Sequence, residues 1–228
     1  MGDFDGDGDL DLVTTNSIGD NVSVLLNNLI RRGDEGNNTL VGNASNNAIF
    51  GEEGNDRLEG RDGDDTLEGG DGLDTLNGGD NNDVLRGGDN GDTLDGGEGN
   101  DELFGEAGDD NILGGNGDDT LNGGAGNDTL SGQGNDDIIN GGEGNDSLLG
   151  INGNDSLFGE AGNDNILGGN GDDTLKGGAG DDTLLGGEGR DTAEFEDDAA
   201  NYSFALGTID GVEFITVTSL VDGSTDYL

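Results

Sequence analysis

From Gly33 to Glu194 the chain repeats every nine residues, eighteen times, with no insertion. Position 1 of every unit is Gly. Position 4 is Gly in fourteen units, with Ser45, Asn81, Asn90 and Asn135 in the others. Position 6 is Asp in sixteen units, preceded by Asn38 and Asn47 in the first two. Position 8 is Leu or Ile in all units but the last, which has Ala193. A period this strict demands stacked, near-identical turns, because one unit has a single aliphatic side chain and can bury it only against its neighbours. The block FGEAGDDNILGGNGDDTLNGGAG at 104–126 returns at 158–180 as FGEAGNDNILGGNGDDTLKGGAG, six units later, which reads as a duplication.

Within one unit, the triplet around position 8 reads as a minimal strand, its side chains alternating between two faces. The six residues GGxGxD then have to turn the chain. Gly at positions 1, 2 and 4 tolerates positive φ, and Asn is the next most tolerant residue, in keeping with three of the four exceptions at position 4. Position 2 is looser, with Asp34, Asn43, Glu52, Arg61, Glu106, Gln133, Ile151 and Glu160 among its residues. Two units complete one coil of strand, turn, strand, turn. The expected fold is all-β: a parallel β-roll, or β-solenoid, of nine 18-residue coils. At a strand spacing of about 4.8 Å it would be roughly 43 Å long. Its entire core would be the seventeen Leu and Ile side chains between two short parallel sheets.

Composition sharpens the problem of what holds such a roll together. Only 28% of the 228 residues are apolar, and 53 acidic residues against 7 basic ones give a formal charge of −46. By low hydrophobicity and high charge this is the composition of a disordered chain. One aliphatic side chain per nine ordered residues is too little to offset the loss of chain entropy. The chain has no His and no Cys, which removes disulfides, zinc-protease sites and serine- or cysteine-hydrolase arrangements. The few Lys and Arg are scattered, so nucleic acid is not an expected partner. VLLNNLI at 24–30, the longest apolar stretch, is too short and polar to span a bilayer.

Coiling sets each turn on the one eighteen residues later. One edge then stacks Asp56, Asp74, Asp92, Asp110, Asp128, Asp146, Asp164 and Asp182. The opposite edge stacks Asp65, Asp83, Asp101, Asp119, Asp137, Asp155, Asp173 and Asp191. Aligned carboxylates repel unless a cation lies between them. Calcium suits such a gap, since it takes six to eight oxygen ligands in a tolerant geometry, including backbone carbonyls. Magnesium keeps its waters and zinc prefers nitrogen or sulfur. Eight Asp per edge leave seven gaps, hence fourteen sites, and fourteen ions would take the charge from −46 to −18. With Asn38 and Asn47 in place of Asp, the first coil reads as a cap.

The pattern GGxGxDxUx, with U a large aliphatic, resembles that of the repeats-in-toxin (RTX, hemolysin-type) calcium-binding family, and the match covers residues 33–194. The resemblance implies a right-handed parallel β-roll with each calcium ion held between successive turns by Asp carboxylates and turn carbonyls. It also implies secretion by a bacterium through a one-step (type I) exporter.

The two ends differ from the repeats. In DFDGDGDLD at 3–11, Asp3, Asp5, Asp7 and Asp11 with Gly8 place alternating oxygens as in a calcium loop. LDLVT and NVSVLLNN then read as a hairpin across SIGDN, and the whole of 1–32 resembles one blade of an FG-GAP/VCBS repeat, with room for one further calcium ion. IRRG at 30–33 reads as the junction. After the repeats, YSFAL and VEFITVTSL within 195–228 read as a hairpin across GTIDG, whose Tyr202, Phe204, Val212 and Phe214 would cover the last coil. With partial modules at both ends, the chain reads as a segment of a larger protein.

The leading functional expectation is a non-enzymatic, secreted, extracellular module that stays unfolded in calcium-poor cytosol and folds on calcium outside the cell. The alternative is an adhesin or surface spacer in which Phe50, Phe104 and Phe158, 54 residues apart, act as contacts. A fragment of a secreted hydrolase or toxin comes third, with any catalytic part elsewhere.

Overall fold

The computed structural model describes residues 12–15, 22–25, 30–195, 202–209, 212–219 and 225–227. All regular structure among them is β. Each unit from Ala48–Glu53 to Thr183–Glu188 contributes one strand, and every one of these strands but the last pairs in parallel with the strand eighteen residues on. Leu67 pairs with Leu85, and Leu76 with Leu94. Alternate units therefore enter opposite sheets, one of ten strands and one of twelve. The seventeen Leu and Ile of position 8, Leu40 to Leu184, are all buried between these sheets and form one continuous core. The nine-coil parallel roll expected from the period is the fold.

The strands are longer than the expected triplet. Each has six residues, as in Thr66–Asp71 (TLEGGD), and carries pairing through positions 2 and 3 of the next unit: Glu52 with Gly70, Glu53 with Asp71. Only three residues are left for the turn between Thr66–Asp71 and Thr75–Asp80. Positive φ at position 2 bends the chain while its ladder continues. Gly70 adopts φ +112°, and a Cβ there would also collide with the Glu52 carbonyl of the coil before. Position 2 keeps this conformation when it is not Gly, as in Arg61 (φ 91°) and Ile151 (φ 85°). Position 4 behaves likewise, with Asn81, Asn90 and Asn135 all at positive φ.

The ten-stranded sheet starts before the first unit. Ile30–Arg32 pairs in parallel with the following coil, which puts Arg31 opposite Ile49 in the row that is aliphatic elsewhere. Arg31 is buried there, and desolvation, then the charge of Arg61, lowers its pKa. Ahead of it, Leu12–Thr15 and Val22–Leu25 form the expected antiparallel hairpin. At the other end Tyr202–Ile209 pairs antiparallel with Val212–Ser219, so GTI lies in the strand and not in the connection. A third strand, Thr225–Tyr227, pairs with Val212–Ser219 and, through Tyr227, with Thr183 of the last full coil. The hairpin thus extends the edge of the twelve-stranded sheet. The side chains of Tyr202, Phe204, Val212 and Phe214 lie outside what the structure describes.

Candidate metal centre

Each position-6 Asp closes a turn just before a strand begins, and this puts its carboxylate at the edge of the core. From Asp56 to Asp182 these side chains are no more than 3% exposed. The parallel stacking supplies one partner. The Asp56 amide donates to Oδ1 of Asp74 at 2.7 Å, the Asp74 amide to Asp92 at 2.8 Å, and the Asp83 amide to Asp101 at 2.7 Å, and so on up both edges. The Asp backbone carbonyl is also used: Thr75 donates to Asp56 O at 2.9 Å.

The second carboxylate oxygen has no such partner. Oδ2 of every Asp from Asp56 to Asp182 on both edges is buried without a hydrogen bond, fifteen atoms in all. Leaving a buried polar atom unmatched is costly, and for a charged oxygen the cost is larger. Such an unbroken series requires a common counterpart.

The position-1 glycines show where that counterpart fits. A Cβ on Gly51 would collide with Oδ2 of Asp56 and with the carbonyl oxygen of Gly69, one coil further. The same trio recurs at Gly69, Asp74 and Gly87, and at Gly141, Asp146 and Gly159. A carboxylate oxygen and a carbonyl oxygen from successive coils thus converge beside a Cα that carries no side chain. This corrects the reading that position 1 is Gly for its φ: position 1 has no positive φ in any unit of the roll, whereas positions 2 and 4 do. Gly is needed at position 1 for space.

Among the described residues no three acidic side chains come together as a ready-made carboxylate cage. The donors that converge in each gap are a carboxylate oxygen and a glycine carbonyl of the next coil, an all-oxygen set that suits a hard cation of flexible coordination. The residues present fit calcium.

Electrostatics point the same way. Burial raises the Asp pKa from Asp56 to Asp173, the neighbouring amide partly offsets it, and at most positions, as at Asp83 and Asp137, carboxylates eighteen residues away add to the rise. Asp83 and Asp137 are pushed up to about 8, Asp92, Asp110 and Asp119 to about 7, and Asp65 and Asp74 to about 6. Without a cation the ladder takes up protons near neutrality. A cation in the gap would keep it ionised.

The first coil departs from this. Asn38 Oδ1 accepts from the Asp34 amide at 2.7 Å, and its Nδ2 donates to Gly36 O at 2.7 Å and to Asp34 Oδ1 at 3.1 Å. Asn47 Oδ1 likewise accepts from the Asn43 amide at 2.7 Å. Neither leaves an orphaned atom. At the far end Asp191 is half-buried and accepts from the Asp173 amide at 3.1 Å. Asp3, Asp5, Asp7 and Asp11 lie outside the described residues.

Sequence reasoning passed over position 5. On the outside of the turns the position-5 side chain accepts from the amide one coil later: Asp109 Oδ1 from the Asn127 amide at 2.7 Å, Asn127 Oδ1 from the Asn145 amide at 2.9 Å, Asn145 Oδ1 from the Asn163 amide at 2.8 Å. This outer ladder runs opposite in sense to the inner one. Thr225 of the C-terminal strand donates to its last rung, Asp181, at 2.6 Å. The signal was available: position 5 is Asn or Asp in fifteen of eighteen units, the exceptions being Leu73, Gly91 and Arg190.

The family model described as the RTX calcium-binding nonapeptide repeat (4 copies) matches residues 32–67, 59–94, 86–121, 113–148, 144–175 and 158–193, which together run without a break over more than two thirds of the chain. No curated protein matches it.

Proposed function

The chain belongs to the RTX calcium-binding nonapeptide-repeat family, whose repeats bind calcium in a β-roll, and on that premise we propose that its stacked aspartates hold calcium ions that fold the chain outside the cell. Asp56 to Asp182 on one edge and Asp65 to Asp191 on the other are the ligands, with position-1 glycine carbonyls completing each gap. Seven gaps per edge make fourteen sites.

Calcium in these gaps supplies the positive charge that lets two buried carboxylates stay ionised side by side. The protein does the rest. The inner amide ladder fixes the orientation of each carboxylate, as in Asp110 donating to Asp128 Oδ1 at 2.8 Å. Glycine at position 1 keeps the gap open, and the aliphatic row excludes water from one side. The observation that carries the reading is the unbroken series of buried, unmatched Oδ2 atoms.

Because the sites exist only once coils have stacked, binding and folding are one event. In calcium-poor cytosol the repelling chain stays extended and passes through a type I exporter. Outside, sites with affinities of about 10⁻⁴–10⁻³ M fill and the roll forms. The module is non-catalytic, and Asp3, Asp5, Asp7 and Asp11 hold one further ion in the N-terminal loop. Circular dichroism during a calcium titration tests the core of this proposal. Strand signal should rise cooperatively with calcium and vanish with chelator, and a signal indifferent to both would overturn it.

A further inference from the structure

On the outer face of the ten-stranded sheet, position-9 residues eighteen apart are cross-strand neighbours. Arg32 lies beside Phe50, Arg86 beside Phe104, and Asn140 beside Phe158. The three Phe recur every three coils, about 14 Å apart at ~4.8 Å per strand. Two residues after each comes a Glu at position 2: Glu52, Glu106 and Glu160, with φ of 82°, 76° and 73°. That region of φ disfavours any side chain, and ten of the eighteen units have Gly there at positive φ.

In two copies the strained Glu has an evident partner. The Arg32 guanidinium carbon lies 4.6 Å from the Phe50 ring centre, and the same group ion-pairs with Glu52. Arg86 lies 4.3 Å from the Phe104 ring centre and 3.5 Å from Glu106 Oε1. Phe and Glu together hold a guanidinium between a ring face and a carboxylate, each contact reinforcing the other.

The third copy keeps Phe158 and Glu160 and replaces the Arg by Asn140. Among the described residues Glu160 makes no ion pair and no cation lies over Phe158. Asn140 adds a buried Oδ1 with no hydrogen-bond partner. Three groups that each attract a positively charged donor are thus placed where the other copies hold their arginine. We propose that Phe158, Glu160 and Asn140 form a receptor for an alkylguanidinium or primary alkylammonium group supplied from outside the chain.

The test uses the full, calcium-saturated chain with 4-fluorophenylalanine at its seven Phe positions, the Phe158 resonance being assigned through Phe158→Leu. Titration with n-propylguanidinium should shift the Phe158 fluorine resonance saturably and leave those of Phe50 and Phe104 in place. The neutral analogue n-propylurea should shift none. Asn140→Arg should fill the site from within and weaken binding about tenfold or more, the equivalent of ~1.4 kcal/mol. Arg86→Asn should make Phe104 respond as Phe158 does. A capped Gly-Arg-Gly peptide run in parallel separates sources: tighter binding than n-propylguanidinium assigns a protein-borne arginine, weaker binding a free organic cation. The proposal falls if no resonance moves, if n-propylurea acts equally, or if Asn140→Arg binds as before. Lys176 flanks Phe158 on the next strand. Binding seen only in Lys176→Gln would mean that the chain fills the site itself, and overturns the proposal too.

Discussion

In the first coil Asn38 and Asn47 stand where the later coils have Asp, on the same backbone and above the same aliphatic row. In an interior coil, Oδ1 accepts the amide of the coil below, as Asp74 does from Asp56. No repeat lies below the first coil, and among the described residues no amide from below donates to the side chain of Asn38 or Asn47. Asn puts an NH₂ there and turns it on its own turn, with Nδ2 of Asn38 reaching Gly36 O. Its oxygen takes the amide at position 2. The first coil is therefore complete by itself, whereas each interior coil keeps a buried oxygen with no hydrogen-bond partner. The comparison teaches that one atom, nitrogen for oxygen, decides whether a turn closes on itself or depends on a ligand.

The largest effect separating the two regions is collective. In the folded, metal-free roll most interior Asp pKa values stand at about 6 to 8, well above the ordinary carboxylate range. A folded pKa above the unfolded one contributes stability that is fully present below about pH 4 and is lost as pH rises through the folded values. In chelator, strand signal should therefore be stronger at pH 5 than at pH 8, and calcium affinity should change in the opposite direction. Circular dichroism without calcium checks this, and equal signals at both pH values would break the comparison, because Asn38 and Asn47 do not titrate.

A local cut comes next. Gly114→Ala places a methyl group against Asp119 Oδ2 and the Gly132 carbonyl, while Gly33→Ala meets Asn38 Oδ1 and the Gly51 carbonyl. Both should lose about 1–3 kcal/mol to overpacking. Only Gly114→Ala should also lower the number of calcium ions bound, by one or two in a calorimetric count. Equal stoichiometry in the two variants would mean that the glycine space is not the cation site.

Exchanging the residues themselves is milder. Asp119 borders two gaps, so Asp119→Asn should remove up to two ions and about 1–3 kcal/mol of stability in calcium, its new NH₂ lacking the position-2 side chain that serves Asn38. The reverse change, Asn38→Asp, should add at most one ion. Thermal unfolding with calcium counting reads both.

The smallest effect concerns a feature that both regions share. The outer ladder starts in the first coil, where Asn37 Oδ1 accepts from the Asn55 amide at 3.0 Å, and continues to Leu73, which offers no acceptor to Gly91. Leu73 is 57% exposed. Leu73→Asn should repair the rung and raise stability by about 0.5–1 kcal/mol, with calcium stoichiometry unchanged.

Much of the roll could be read from the repeat itself. Leu40 to Leu184 announced the core because one aliphatic recurs at one place in each unit. Asp56 to Asp191 announced two stacks because a period of nine with two strands per coil brings residues eighteen apart together. The glycines were harder. Gly51 and Gly70 look alike in sequence, yet one yields room for Oδ2 and a carbonyl while the other adopts φ +112°. The strand length was misjudged for the same reason, since GGx reads as turn until the neighbouring coil is seen to pair with it.

By itself, the sequence determined the period, the core row, the two acidic edges and the family, because repetition makes each signal recur until chance is excluded. The tertiary structure alone decided which carboxylate oxygen is satisfied and which is not, why position 1 must be Gly, and that Arg32 and Arg86 meet Phe50 and Phe104 while Asn140 meets Phe158. These depend on atoms of different coils brought within a few ångströms of each other. Only stacking sets that closeness, and no nine-residue unit contains it.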